Sequence, residues 1–270
     1  MWLSCYIYSD DSLDKLLIEE VLPFVRSVLA KNLTSQFFFI RYSDHRGPHI
    51  RLRFKTEKEY IRTQLKPSVL TTFPSSMFVK YLPERERYGG KIGVEIAEQV
   101  FDASSTAVLA VMSENDEWNY RRTLGAALQL HLGMVKGLCM KRQEVVAFFD
   151  HIASHYHQND PNKIVQLEQT LEPQKTILFP YLSQIWEQAG NFEASWLMAW
   201  HKSIQAVLLQ LLQAQKKNQL QIPYSEAHTV NQLWYLYESY VHMTNNRLGV
   251  LRDDEPFLAY TIKRSLEKYE

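Results

Sequence analysis

The chain has 270 residues, is 46% hydrophobic and 13% aromatic, and carries 30 basic and 30 acidic residues for a formal net charge of zero. That content supplies a sizeable core, and the charge balance excludes a global pull toward nucleic acid or an anionic membrane, leaving recognition to local clusters. Cys5 and Cys139 stand far apart outside any pair motif, which argues against a disulfide framework and for a reducing cytosol. No apolar run reaches membrane-spanning length, and the first residues lack the basic and apolar parts of a signal peptide. The expectation is a cytoplasmic protein with no membrane insertion and no direct nucleic-acid contact.

Trp2–Tyr8 reads as a strand of aromatic and β-branched residues. Asp10-Asp11-Ser12 then supplies a helix N-cap. Leu13, Leu16, Leu17, Val21, Phe24 and Val28 follow helical spacing, with Pro23 set to kink or restart the helix. Phe37–Phe54 reads as strand, tight turn, strand, the reversal fixed by Gly47 and Pro48. In its second strand Ile50, Leu52 and Phe54 point one way, and His49, Arg51 and Arg53 the other. Taken alone, that cationic row suits the solvated outer face of an edge strand, charged against sheet-to-sheet pairing.

Lys55–Lys66 predicts a surface helix, Pro67–Pro74 a connector and Met77–Leu82 a further strand. After Gly90 the pattern is helical. Ile92, Ile96 and Val100 mark one helix, and Asp102 or Ser104 would cap a second through Met112. Asn119–Met140, Arg142–His157, Phe192–Lys216, Ser225–Gly249 and Pro256–Tyr269 read as further helices. Pro173 and Pro180 punctuate a less regular segment. Strands first and helices after predict an α+β fold: a mostly antiparallel sheet in residues 1–90 packed on a helical region in 91–270, as one domain.

Three clusters could carry chemistry. The first is the His49/Arg51/Arg53 face, where a guanidinium fork suits carboxylate or phosphate. The second is Glu84-Arg85-Glu86-Arg87-Tyr88-Gly89-Gly90, whose glycines allow a positive-φ turn or close backbone approach. The third surrounds His242, with Glu238 one turn before it to orient the imidazole and Asn246 one turn after. His151, His155 and His157 give an i, i+4 pair plus one more, but no HExxH arrangement, so no metal site is expected. No P-loop, GxGxxG, GxSxG or CxxC occurs.

Together these pieces resemble the C-terminal elimination domain of lantibiotic dehydratases, also found as a stand-alone thiopeptide-type bacteriocin biosynthesis protein. The matching segments are Phe38-Phe39-Ile40-Arg41-Tyr42, Pro48-His49-Ile50-Arg51-Leu52-Arg53, Arg87-Tyr88-Gly89-Gly90 with Glu95 and Glu98, and His242-Met243 with Asn246-Arg247-Leu248. The resemblance implies glutamate elimination from a glutamylated Ser or Thr of a precursor peptide, giving dehydroalanine or dehydrobutyrine. It implies Arg53, Arg87 and His242 as catalytic residues and Arg51, His49 and Arg41 as substrate-binding ones, with no metal or organic cofactor. The large glutamylating region is absent from this sequence, so the expected partner is a separate tRNA-dependent glutamylating subunit, and a homodimer is one arrangement left open. Two alternatives stand beside this reading: a pyridine synthase-like cycloaddition enzyme, and a non-catalytic leader-peptide module that takes a strand onto its sheet edge.

Overall fold

The computed structural model describes residues 1–115, 117–157, 161–188, 190–223 and 231–267, with the side chains of 155–157 and 161 left out. Strands β1 (Trp2–Tyr8), β2 (Gln36–Asp44), β3 (Gly47–Lys55) and the two-residue β4 (Met77–Phe78) form an antiparallel sheet in the order β2-β3-β1-β4. The alternation read from β3 sets its two faces. Leu3, Cys5 and Ile7 of β1 stand opposite Phe54, Leu52 and Ile50, with Phe37 and Phe39 of β2 completing this apolar side. Two helical stretches belong to the same core. One is α1 (Leu13–Leu16), a π turn (Leu17–Val21) and α2 (Leu22–Ala30); the other is α3 (Lys58–Tyr60), a π turn (Ile61–Leu65) and α4 (Lys66–Thr72). Phe24 of α2 meets Phe54 and Phe73 edge-on, and Leu65 and Val69 are fully buried.

The helical part follows as α5 (Gly90–Ser113), α6 (Tyr120–Gly137), α7 (Arg142–His157), α8 (Pro161–Leu171), α9 (Lys175–Glu187), α10 (Ser195–Lys216), α11 (Trp234–Leu248) and α12 (Glu255–Glu267). The fold is α+β, as the sequence indicates. Several local expectations need correction. Pro67, expected to open a connector, lies instead in the first turn of α4, which follows a π turn, whereas Pro23 restarts the helix as expected, in the first turn of α2. The strand expected over Met77–Leu82 pairs only at Met77–Phe78. Pro180 lies inside α9. And α5 is one unbroken helix of 24 residues, with Asp102 and Ser104 in its interior.

Asp102 has another task. β2 is an edge strand, and an edge presents unpaired amides to solvent. Here Asp102 Oδ1 accepts from Phe37 N–H (2.9 Å) and Ser105 Oγ from Phe39 N–H (3.2 Å). Asn246 Oδ1 of α11 accepts from Arg41 N–H, and its amide donates back to Arg41 O, both at 3.0 Å. Side chains of α5 and α11 thus complete the ladder that a fifth strand would have made, and strand addition at this edge is closed.

A buried pair joins α6 to α11: His131 Nε2–H donates to Asn245 Oδ1 (2.8 Å). Burial pushes the His131 imidazole down from 6.5 to about 4, against the Asn245 bond and the more distant Glu255 charge. The folded pKa is depressed, so on acidification the unfolded chain binds this proton first. The stability contribution is full above pH 6.5 and is lost as pH falls toward 4, by about 3 kcal/mol at most. Asp102, raised from 3.8 to about 6 by burial, acts in the opposite sense over part of that window. The difference between wild type and His131→Gln isolates the histidine. Unfolding free energies measured from pH 4 to 7 should fall more steeply in wild type, and parallel curves would remove the effect.

Candidate active site

The second face of the sheet carries the cationic row. Opposite His49, Arg51, Arg53 and Lys55 of β3 stand Tyr8, Tyr6, Ser4 and Trp2 of β1, and Tyr42, Ile40, Phe38 and Gln36 of β2. The cations therefore lie in an aromatic frame. The Arg51 guanidinium sits 3.4 Å over the Tyr42 ring and 4.6 Å over Tyr6. Its Nε donates to His49 Nε2 (3.3 Å), which leaves His49 Nδ1–H to donate to Gly47 O (3.2 Å). His49 is fully buried against Tyr6, Tyr8 and Tyr42. It was expected to touch substrate; here it has no exposed surface, and its two ring nitrogens engage Arg51 and Gly47.

Arg53 lies between Phe38 (5.0 Å) and Tyr81 (4.5 Å). Burial pushes its pKa down, and the neighbouring Arg51 charge adds to this. It makes no ion pair among the described residues, and its Nε is buried without a hydrogen-bond partner. Arg247 of α11 is a second such cation, 0% exposed and beside Phe101 and Phe38. Its Nε donates to Ser105 Oγ (3.0 Å) and its Nη1 to Met243 O (2.8 Å), while Nη2 has no partner. Burial pushes it down to about 9, and the Arg53 charge works in the same direction. It remains protonated at neutral pH, so the shift expresses a cation that lacks a counter-charge.

Arg87 reaches the same neighbourhood from the loop before α5. It donates to Ser239 Oγ of α11 (3.5 Å) and pairs at 3.5 Å with the exposed Glu84. Burial raises the adjacent Tyr88 phenol to about 12, against the pull of three guanidinium groups, those of Arg87, Arg247 and Arg53. Three arginines from distant stretches of the chain thus act on one phenol. Ser239 lies on the half-buried stripe of α11 that continues through His242 and Met243 to Asn246, while Tyr240, Val241, Thr244 and Arg247 face the core.

His242 Nδ1 lies 3.0 and 3.1 Å from the two carboxylate oxygens of Glu255, the first residue of α12. Glu238, expected to orient this imidazole, pairs with His151 of α7 instead. Helical i−4 spacing brought the residues to neighbouring turns, but Glu238 turns toward α7. Of the histidine cluster only the His151 side chain is described; those of His155 and His157 lie outside the described residues. Arg41 is not part of the cationic face. It lies on the opposite side of β2, ion-paired to Asp14 (2.6 Å) and donating to Arg247 O (2.8 Å). Sequence reasoning placed Arg247 in the His242 segment without giving it a role, and missed Glu255. Arg247 was within reach, because Tyr237, Tyr240, Thr244 and Arg247 fall at buried helical spacing. Nothing in the sequence links Glu255 to His242.

The Arg87 loop is held by backbone contact. Gly89 (φ +75°) and Gly90 (φ +88°) make the left-handed turn into α5. One turn on, the Tyr88 carbonyl rests on Gly93, where a Cβ would lie 1.7 Å from its oxygen. Gly93→Ala should destabilise the fold by about 3 kcal/mol and displace Arg87 and Tyr88. Gly125→Ala, in the open interior of α6 with nothing within 4 Å of the new Cβ, should instead stabilise by about 0.5–1 kcal/mol. Chemical denaturation of the two variants checks both signs.

A family model for the lantibiotic biosynthesis dehydratase C-terminal region matches residues 2–266. The chain belongs to this family. It is 23% identical over 277 residues to the nisin biosynthesis protein NisB of Lactococcus lactis subsp. lactis, covering 97% of this chain and 25% of NisB. Over 120 residues it is 32% identical to the subtilin biosynthesis protein SpaB of Bacillus subtilis, covering 40% of this chain and 11% of SpaB. It therefore spans about a quarter of NisB. Among solved structures, the tRNA-dependent lantibiotic dehydratase MibB from Microbispora sp. 107891 shares the fold at TM-score 0.64 and 19% identity, over 98% of this chain and 28% of MibB. TbtD, the pyridine synthase from thiomuracin biosynthesis, aligns at TM-score 0.76 and 11% identity over 99% of this chain and 98% of its own.

Proposed function

We propose that this chain is a lyase that eliminates glutamate from glutamylated Ser and Thr residues of a ribosomal precursor peptide, leaving dehydroalanine or dehydrobutyrine. The observation that carries the reading is the half-buried Arg53, its Nε enclosed without a partner, backed by the fully buried Arg247, whose Nη2 also lacks one, with no carboxylate on either among the described residues. A glutamyl ester brings one carboxylate in its side chain and releases another as the Cβ–O bond breaks. Prepositioned cations hold the first and meet the second as its charge develops. Arg87, at the rim, completes the cluster, and His242 handles the α-proton. On this reading a tRNA-dependent glutamylating activity supplies the ester.

The test uses a precursor peptide carrying a preformed glutamyl ester, with no tRNA and no added cofactor. Mass spectrometry should show loss of glutamate and a peptide lighter than its unmodified form by one water. An ester that persists beyond its spontaneous decay rate would overturn the reading. The end-to-end match to TbtD favours a second one, cycloaddition between dehydroalanines already in a peptide. Under it the glutamylated peptide stays intact while a bis-dehydroalanine peptide is cyclised. Leader binding by strand addition is the weakest reading, because the β2 amides are taken and β4 offers only two residues.

A further inference from the structure

We infer that Glu255 is the positioning residue that fixes His242 as the base of the elimination, with Nε2 as the atom that takes the proton. The inference rests on the elimination reading for its chemistry and on geometry for its assignment. Glu255 is 5% exposed and sits at the first position of α12, where the helix end favours a negative charge. Both of its oxygens lie within hydrogen-bonding reach of His242 Nδ1. An ionised carboxylate only accepts, so Nδ1 carries the hydrogen and donates it. The neutral ring then has its lone pair at Nε2, which makes no hydrogen bond among the described residues, on a side chain 37% exposed. A ring held in that tautomer is built to receive a proton before it gives one.

The step balances without a further reagent. The Cα–H electron pair becomes the Cα=Cβ bond, and the Cβ–O pair leaves with glutamate as a carboxylate. The proton passes to Nε2, and the imidazolium it creates is held by the Glu255 carboxylate. The departing glutamate is received by arginine as an ion and needs no proton. His242 is therefore the base, and the arginines take the part of the acid.

The experiment has an arm that does not depend on activity. In the full chain labelled with ¹⁵N-histidine, long-range proton–nitrogen spectra report which ring nitrogen of His242 is protonated, with the signal assigned by its loss in His242→Gln. The wild type should show Nδ1–H with a bare Nε2, and Glu255→Gln should show a mixture of tautomers, because an amide donates as well as accepts. On the preformed glutamylated peptide, Glu255→Gln should lower kcat about 10²-fold with KM within about twofold, and Glu255→Asp should recover at least tenfold of that loss. An Nε2–H tautomer in the wild type, or a wild-type kcat in Glu255→Gln, overturns the inference. A wild-type protein that leaves the ester intact overturns the elimination reading, and the tautomer still decides the assignment. Should Glu255→Gln fail to fold, the wild-type spectrum and Glu255→Asp carry the test.

Discussion

His242→Ala is expected to slow elimination from a preformed glutamylated peptide by about 10²–10⁴-fold, the range that a positioned acid or base contributes. Peptide affinity should stay close to wild type, since on the elimination reading the arginines hold the substrate's carboxylate. The intermediate heavier by a glutamyl group should accumulate where the wild type yields a peptide lighter by water. The His242 side chain is 37% exposed and carries no core packing of the kind its immediate neighbours Tyr240 and Val241 supply, so the variant should fold. Equal rates of dehydroamino-acid formation in variant and wild type would make the histidine structural and end its assignment.

Arg53→Met should separate activity from stability. The side chain is desolvated between Phe38 and Tyr81, close enough to Arg51 and Arg247 for their charges to act, and its Nε is unsatisfied. Replacing it with an apolar chain of similar length removes an uncompensated charge and keeps the packing. Exchanges of this kind are often neutral or stabilising by about 1–4 kcal/mol, so the melting temperature should hold or rise. On the elimination reading the same change removes a prepositioned donor for the leaving carboxylate, worth about 10²–10³ in kcat at comparable sites. Lower activity with equal or higher melting temperature is the signature of a residue kept for function at a cost in stability. A variant that loses both together would show Arg53 to be a structural ion, and its place in the site would be lost.

The parts of this fold that were legible in the sequence are those set by local periodicity. The alternation over His49–Phe54 gave both faces of β3, and the apolar spacing gave α6, α7 and α10 to within a few residues. Arg87 and Arg53 could be singled out by residue type and resemblance, but what joins them could not. Tyr88, their common neighbour, looks in sequence like part of a turn, and Arg247 enters from a helix 160 positions beyond Arg87. The Glu238 expectation failed for a related reason. Spacing along a helix says which residues are neighbours, but not which surrounding helix each one faces; α7 claimed Glu238 through His151 and α12 supplied Glu255. Asp102 misled in another way, since a carboxylate suited to capping a helix start is equally suited to an unpaired strand amide.

The side chains that occupy the β2 edge also govern how the protein opens. Amides on an exposed edge strand exchange their hydrogens with water readily, because nothing need unfold first. The outward amides of Phe37, Phe39 and Arg41 are released only when α5 and α11 leave the sheet. They should therefore exchange as slowly as the central β3 amides, on the timescale of cooperative opening. The sheet edge and the helix that bears His242 are then expected to open together, as one cooperative unit.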